Sequence, residues 1–473
     1  MLGAILLFLW SAWYALLWTL ALLGLYVARS RYNGRTFRSS SSLLSQPPSA
    51  SGQQPGVSIL RPLRGLDTNL YENLEASFLQ QYPNFEIIFS VAEEGDAAIP
   101  IVEELMRKYP KVSARLIIGD VNTVVNPKIR NMLRSYRSAS HDILWVIDSN
   151  VLTTTTALAN SVELLTAPTP PGKRPIGLVH HLPFAIYPDA NLGSRVEQVF
   201  LCSTHAKMYL AINWVAVASC VTGKSCLYRK SDLERAAQKK REGGKGHILA
   251  EGDGMAAFGK YLGEDNMIGE SIWEDLGMRH AMGGEIAGNA VGSMSFNTFF
   301  RRRVRWIRVR KYMVIASTIV EPLTECFFAG IISSLLYAPK LGISRLIFLI
   351  LHTALWYTFD ILIYSTLLRS SPAPSTRTRP PAHDGPSFAY FKAWLVRESM
   401  ALPIWIFAML GNTVGWRDGQ TKYRVMMDGS VGLVDASEPE SWAERLFERA
   451  RRMRGEQRYV TLRPDDEEER VSR

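Results

Sequence analysis

The 473-residue chain is 47% hydrophobic and 21% charged, with a formal net charge of +10, and its mean hydropathy near zero averages parts that differ sharply. The basic excess lies beside apolar segments, at Arg29, Arg31, Arg35 and Arg38 and again at Arg301, Arg302, Arg303, Arg305, Arg308 and Arg310. That placement favours a bilayer surface and argues against a nucleic-acid groove. Cys202, Cys220, Cys226 and Cys326 are too few and too unevenly spaced for a disulfide framework or a zinc site, so a reducing, cytosolic main domain is expected.

Residues 2–27 carry no formal charge, and at ~1.5 Å per residue they span a ~30 Å hydrocarbon core. Basic residues follow this run instead of preceding it, which argues for a retained transmembrane helix over a cleaved signal peptide. The positive-inside rule then places the next domain in the cytosol. We take residues 1–28 as the anchor and 29–56 as a linker rich in Ser, Gln, Pro and Gly. From 57 to 311, short β-branched or aromatic runs alternate with helical periods. Strands are predicted at 57–60, 86–91, 114–118, 143–147 and 177–180, with helices at 68–80 and 99–109. That pattern is α/β with a largely parallel sheet, whose ligands lie beyond the carboxyl ends of the strands. Residues 239–246, rich in Lys and Gly, read as a solvated loop. Residues 312–415 hold apolar runs at 315–337, 346–368 and 394–410, separated in part by a Pro/Ser/Arg-rich loop at 370–386. Glu321, Pro322, Glu325, Arg397, Glu398 and Pro403 interrupt the first and third runs, which therefore lie at the interface or face the protein interior. The pattern leaves open on which side of the membrane the charged tail, 416–473, emerges.

Asp148 follows the strand at 143–147 in WVIDSN, and a carboxylate there can hold Mg2+ or Mn2+ against a diphosphate or cap the next turn. Asp96, past the strand at 86–91, can meet a nucleoside or metal, or cap the helix that begins near Ala97. Asp265, beside Glu264 in GEDNMIGE, is the candidate general base; a first-turn acid favoured by the helix dipole would look the same. Arg302, Arg305 and Trp306, in RRVRW, fall at i, i+3 and i+4. On a helix two guanidiniums can then grip phosphate oxygens beside an indole, or the cluster can anchor the next apolar helix to headgroups. Lys128, in NPKIRNM with Asn131, can reach phosphate or line a solvated face. His205, Cys220 and Cys226 lie in apolar, aromatic stretches, where such side chains more often pack than react.

The order Asp96, Asp148, Glu264–Asp265, then RRVRW before an apolar segment, resembles the D, D, D, (R/Q)xxRW pattern of ceramide glucosyltransferases. SILRPLRGLD, RKYPKVSARLIIG, VNPKIRNM, ILWVIDSN, GLVHHLP, CVTGKSCLYRK and IVEPLTECF are similar to that family as well, so the likeness covers roughly residues 57–329 and recurs in WLVRESM. The resemblance implies a GT-A-type nucleotide-sugar transferase domain flanked by transmembrane or interfacial helices. It also implies inverting transfer of glucose from UDP-glucose to the primary hydroxyl of ceramide, giving glucosylceramide at the cytosolic face of a Golgi or endoplasmic reticulum membrane. Asp96, Lys128 and Asp148 then belong to the donor site, with Asp148 the ligand of Mg2+ or Mn2+, and Asp265 is the base. Arg302, Arg305 and Trp306 serve the diphosphate and acceptor end, while His205 and Cys220 match a His near the active site and a Cys of the family.

Three features depart from the family pattern. DSN lacks the second carboxylate of a DxD motif, residues 236–254 form an insertion ahead of Asp265, and the 370–386 loop is long. These point to a divergent, fungal-type member. A processive polysaccharide synthase shares the RxxRW signature but needs a channel through more spans than the three or four apolar segments here. A catalytically silent membrane scaffold would have shed the acidic residues that this chain keeps.

Overall fold

The computed structural model describes residues 1–32, 54–242, 253–372, 387–415 and 421–434. Helix α1 (Leu2–Arg31) is apolar along most of its length, and its buried residues lie in its C-terminal half, from Leu17 to Ala28. There Tyr32 is fully enclosed and donates to the carbonyl of Gly283 at 2.7 Å.

Four strands and three helices open the α/β domain: β1 (Val57–Pro62), α2 (Leu70–Phe78), β2 (Phe85–Val91), α3 (Ile99–Lys108), β3 (Ser113–Ile118), α4 (Pro127–Ser138) and β4 (Ile143–Ile147). The strands are parallel neighbours in the order β3-β2-β1-β4. Every residue of the inner strands β1 and β4 is buried, whereas edge strand β3 is partly exposed. Burial on both faces is why β4 reads as an unbroken apolar run and not as an alternating one. At the start of α4, Asn126 Oδ1 accepts from the backbone N–H of Lys128 and Ile129, with Pro127 in the first turn. This cap fixes where Lys128 stands relative to the sheet.

The sheet continues through β5 (Val151–Leu152), α5 (Ala157–Thr166), β6 (Ile176–Pro188), α6 (Leu192–Phe200), α7 (Ala206–Val215), β7 (Ser225–Arg229), α8 (Lys230–Glu242), α9 (Glu264–Glu270) and β8 (Arg279–Gly292). Its full order is β3-β2-β1-β4-β7-β6-β8-β5. β7 runs antiparallel to β4 and β6, and β5 antiparallel to β8, while β6 and β8 are parallel. The result is a mixed, mostly parallel α/β sheet. The strand expected at 177–180 is a fragment of the longer β6, and β7 and β8 escaped the sequence pattern. β8 carries Gly283, Gly284, Gly288 and Gly292, residues that weaken any strand signal. One expectation is corrected. Residues 239–242 form the end of α8 and not a loop, with Lys240 facing Asp275 at 3.5 Å; 243–246 lie outside the described residues, as do 33–53, 373–386 and 435–473.

Helices α10 (Phe296–Arg310), α11 (Ile315–Val320), α12 (Cys326–Tyr337), α13 (Arg345–Leu368) and α14 (Phe388–Met409) follow. Among the described residues α1 and α13 are long and apolar enough to cross a membrane, and residues 315–324 with 326–337, bent by 65°, can make a third span. α1 packs on this layer through Trp10 Nε1, which donates to Ser333 Oγ at 3.0 Å, and Tyr14 Oη, 2.7 Å from His352 Nδ1. In α14, Arg397 and Glu398 point into the protein, where the Arg397 guanidinium meets Glu325; of the two expected placements for such charges, the interior one holds. A small antiparallel sheet, β9 (Thr413–Gly415), β10 (Lys422–Val425) and β11 (Val431–Leu433), then packs against Leu262, Val309 and Tyr312. The chain beyond the apolar helices thus returns to the α/β domain, a point the sequence pattern left open.

A Cβ built on Gly24 would lie 2.5 Å from the carbonyl oxygen of Lys207, so α1 meets α7 backbone to backbone. Gly24→Leu should force the two apart at ~1–3 kcal/mol, lowering the thermal midpoint in detergent by several degrees. An unchanged midpoint would show that α1 does not pack there.

Candidate active site

A cavity of about 1390 Å3 opens at the carboxyl ends of the first four strands. Its wall takes Arg64 after β1, Asp96 after β2, Asp120 after β3 and Asp148 after β4, and continues to Arg397, Ala401 and Ile404 of α14. Asp96, Lys128, Asp148, His205, Asp265, Arg302, Arg305 and Trp306 all line it. Side chains spread over some two hundred positions of sequence therefore face one space.

Asp148 stands at the end of the central strand β4 between two ammonium groups. Lys128 Nζ lies 2.8 Å from one carboxylate oxygen and Lys224 Nζ 2.9 Å from the other. Lys128 also reaches Glu264 at 3.0 Å, and Lys224 donates to Asn150 Oδ1 at 3.1 Å. Burial alone would raise the Asp148 pKa, yet the two lysines hold it well below the usual carboxylate range. Lys224 escaped the reading of individual residues; its signal was the stretch CVTGKSCLYRK, noticed only as a likeness. Among the described residues no group of three or more His, Cys, Asp or Glu side chains is placed to cage a metal ion. A cation completed by diphosphate oxygens would take Asp148 as its protein ligand only in exchange for a lysine, since both carboxylate oxygens are engaged.

Asp96 lines the cavity with its carboxylate bonded to backbone N–H groups, one of them in the turn before α3, whose N-cap is Ala98. The two Asp96 oxygens accept from Gly65 N–H at 2.9 and 3.0 Å, and Oδ1 also accepts from Ala98 N–H at 2.8 Å. The carboxylate thereby shapes the cavity wall after β1, where Gly65 has a positive φ of 61° that favours glycine.

Asp265 lies in the first turn of α9 and accepts a hydrogen bond at Oδ2 from Gly223 N–H. Burial, reinforced by neighbouring Glu264 and opposed by Lys128, raises its pKa to about 6. A Cβ on Gly223 would sit 2.7 Å from Cβ of Asp265, so only glycine fits. The consecutive residues Gly223 and Lys224 therefore hold Asp265 and Asp148 respectively.

On α10 the faces fall as the spacing predicts, with Arg302, Arg305 and Trp306 on the cavity wall. Arg302 Nε lies 3.2 Å from Glu197 Oε1, so part of its charge is already matched. Arg303, which sequence reasoning passed over, is buried; its guanidinium stacks 3.9 Å from the Trp306 ring centre and 4.1 Å from that of Phe200, and it reaches Glu197 at 3.1 Å. It therefore fixes the indole. His205 ends a π-helical turn (Leu201–His205) and stacks on Tyr209 at 5.4 Å, near Trp306. Burial, and then Arg303 and Arg310, depress its pKa to about 3, so the imidazole is neutral. π-turns of this kind recur at functional sites. Cys220 also lines the cavity, whereas Cys226 is buried beneath it, and burial pushes both thiols up.

The family model described as "Glycosyl transferase family 21" matches residues 16–431. A ceramide glucosyltransferase of Komagataella phaffii is 34% identical, covering 89% of this chain and 90% of its own. One from Candida albicans is 31% identical, covering 76% and 85%. Among solved structures, a mannosyltransferase from Pyrobaculum calidifontis in complex with GDP-Man and Mn2+ aligns over 85% of this chain and 95% of its own, at 14% identity and a TM-score of 0.37. With a family model spanning most of the sequence and relatives similar along nearly their whole length, the chain is a glycosyltransferase and belongs to glycosyl transferase family 21.

Proposed function

We propose that the protein transfers glucose from UDP-glucose to the primary hydroxyl of ceramide, with inversion at the anomeric carbon, on the cytosolic face of its membrane. The observation that carries this reading is a single cavity with two unlike ends. Lys128, Asp148 and Lys224 line the end at the strand termini, while Val320, Ala401 and Ile404, with Glu321 and the paired Glu325 and Arg397 among them, wall the end among the apolar helices. A sugar nucleotide suits the first end and a lipid alcohol the second. The relatives' name, ceramide glucosyltransferase, agrees with it.

In this mechanism Lys128, Lys224 and Arg305 face the diphosphate and offset the charge that grows on it as the glycosidic bond breaks. When bound, Mg2+ or Mn2+ held by Asp148 supplies further neutralisation of the diphosphate. Asp265 takes the proton of the acceptor hydroxyl while that oxygen attacks the anomeric carbon from the face opposite UDP, so one displacement inverts the centre without a covalent intermediate. Its raised pKa suits it to accept a proton near neutrality. Trp306 and the neutral His205 pack against the sugar and acceptor. Ceramide comes sideways from the cytosolic leaflet, past α11 and α12.

Expression in cells that lack glycosylceramide should yield a single-hexose ceramide by mass spectrometry, absent with Asp148→Ala; a polymer, or no new lipid, would reject the reading. Asp265→Asn should lower turnover ~10²–10⁴-fold with UDP-glucose binding nearly unchanged. Because Asp265 acts as the carboxylate, the wild-type rate should fall about tenfold per unit below roughly pH 6 and level off above it; a profile flat from pH 5 to 7 would remove Asp265 from the role. Lys224→Met should weaken UDP binding about tenfold, as expected for a charge-assisted contact, measured by calorimetry.

A further inference from the structure

At the lipid end of the cavity the helical path breaks. A 3-10 turn at Glu321–Thr324 and the extended Glu325 separate α11 from α12. The break turns Glu321, Thr324 and Glu325 toward the cavity, opposite Ala401 and Ile404 of α14. Two acidic groups stand there among apolar walls, and their settings differ. Glu325 is closed off: both its oxygens accept from Arg397, at 2.6 and 3.0 Å, and Arg397 also donates to Glu398 at 2.7 Å. Glu321 is open. Its Oε2 accepts from Arg310 Nη2, while among the described residues its Oε1 takes no hydrogen bond. Arg310 is four residues beyond Trp306 on α10 and lines the same cavity, so this pair adjoins the RxxRW face.

Charges in such surroundings are costly unless paired. A carboxylate that lines the cavity with one oxygen pinned and the other unbonded can accept a hydrogen bond from what occupies it. We infer that Glu321, steadied by Arg310, reads the acceptor by accepting from an N–H or O–H donor beside the primary hydroxyl of the lipid. Resting on the acceptor class proposed above, this makes Glu321 a specificity residue. An amide lipid with a neighbouring secondary hydroxyl supplies such donors. A diacylglycerol offers only its own reacting hydroxyl and two ester groups that accept, so its backbone meets a carboxylate that it cannot satisfy.

The test measures transfer from UDP-glucose to ceramide and to diacylglycerol by the full-length protein in lipid nanodiscs, with UDP affinity as a separate readout. Glu321→Ala should raise the KM for ceramide and narrow the ceramide-over-diacylglycerol preference by ~10–100-fold, the loss expected for one charge-assisted hydrogen bond. UDP affinity should stay within about twofold of wild type, the margin expected when no donor-site contact is lost. Glu321→Gln, which keeps the shape and an accepting oxygen, should restore part of the preference and guards against a folding defect in the alanine variant. An unchanged preference in both variants overturns the proposal. So does an equal loss toward both lipids, which would reduce Glu321 to a support for Arg310. Failure of wild type to glucosylate ceramide, with UDP still bound, would instead reject the proposed acceptor, and Glu321's role with it.

Discussion

The carboxylate of Asp148, gripped by Lys128 and Lys224 at the end of the central strand, is the interaction on which the rest of the site is hung. β4 is buried along its whole length and cannot shift without disturbing both faces of the core. Asp148, the residue that follows it, therefore presents a fixed negative charge to the cavity. Lys128 arrives from the capped start of α4 and Lys224 from the turn before β7, so the ion pairs join the parallel half of the sheet to its mixed half. Lys128 passes the constraint to Glu264, and Gly223 passes it to Asp265. The polar side chains of the site are thus set relative to each other by short contacts and not by distant packing.

Helix α10 makes the second connection, between this polar site and the apolar helices. One stretch of it stacks Arg303 on Trp306 and Phe200 and pairs with Glu197. Its end carries Arg310 to Glu321, at the break before α12. α14 closes the far wall, held there by the pair between Arg397 and Glu325. Because β9 to β11 return to the α/β domain, the apolar helices form an inserted layer with the site's own residues on both of its flanks. On the proposed reading, this arrangement would let a sugar nucleotide and a lipid alcohol enter the site from different sides.

How far the sequence foretold this depends on the kind of signal each residue gave. β4 was readable because full burial demands an unbroken apolar run, and Asp148 stood out as the charge that ends it. The RRVRW face followed from helical spacing alone. Lys224 and Gly223 did not stand out: β7 is short, and a glycine and a lysine in a turn are ordinary. Arg303 looked like one more basic residue in a run, since burial by stacking leaves no periodic mark. The π-turn that aims His205 has no sequence signature that periodicity can detect. Asp96 could be read two ways, and only coordinates show its oxygens taken by Gly65 and Ala98 N–H. The setting of Glu321 depends on a bend in the helical path, at Pro322 and Glu325, whose angle the sequence does not state.

An experimental structure of the protein in nanodiscs with UDP bound tests the central claim most directly. The account places the diphosphate among Lys128, Lys224 and Arg305 at the end of β4, with Asp265 across an open space that leads to the apolar helices. UDP lodged elsewhere, with the two lysines still closed on Asp148, would contradict it.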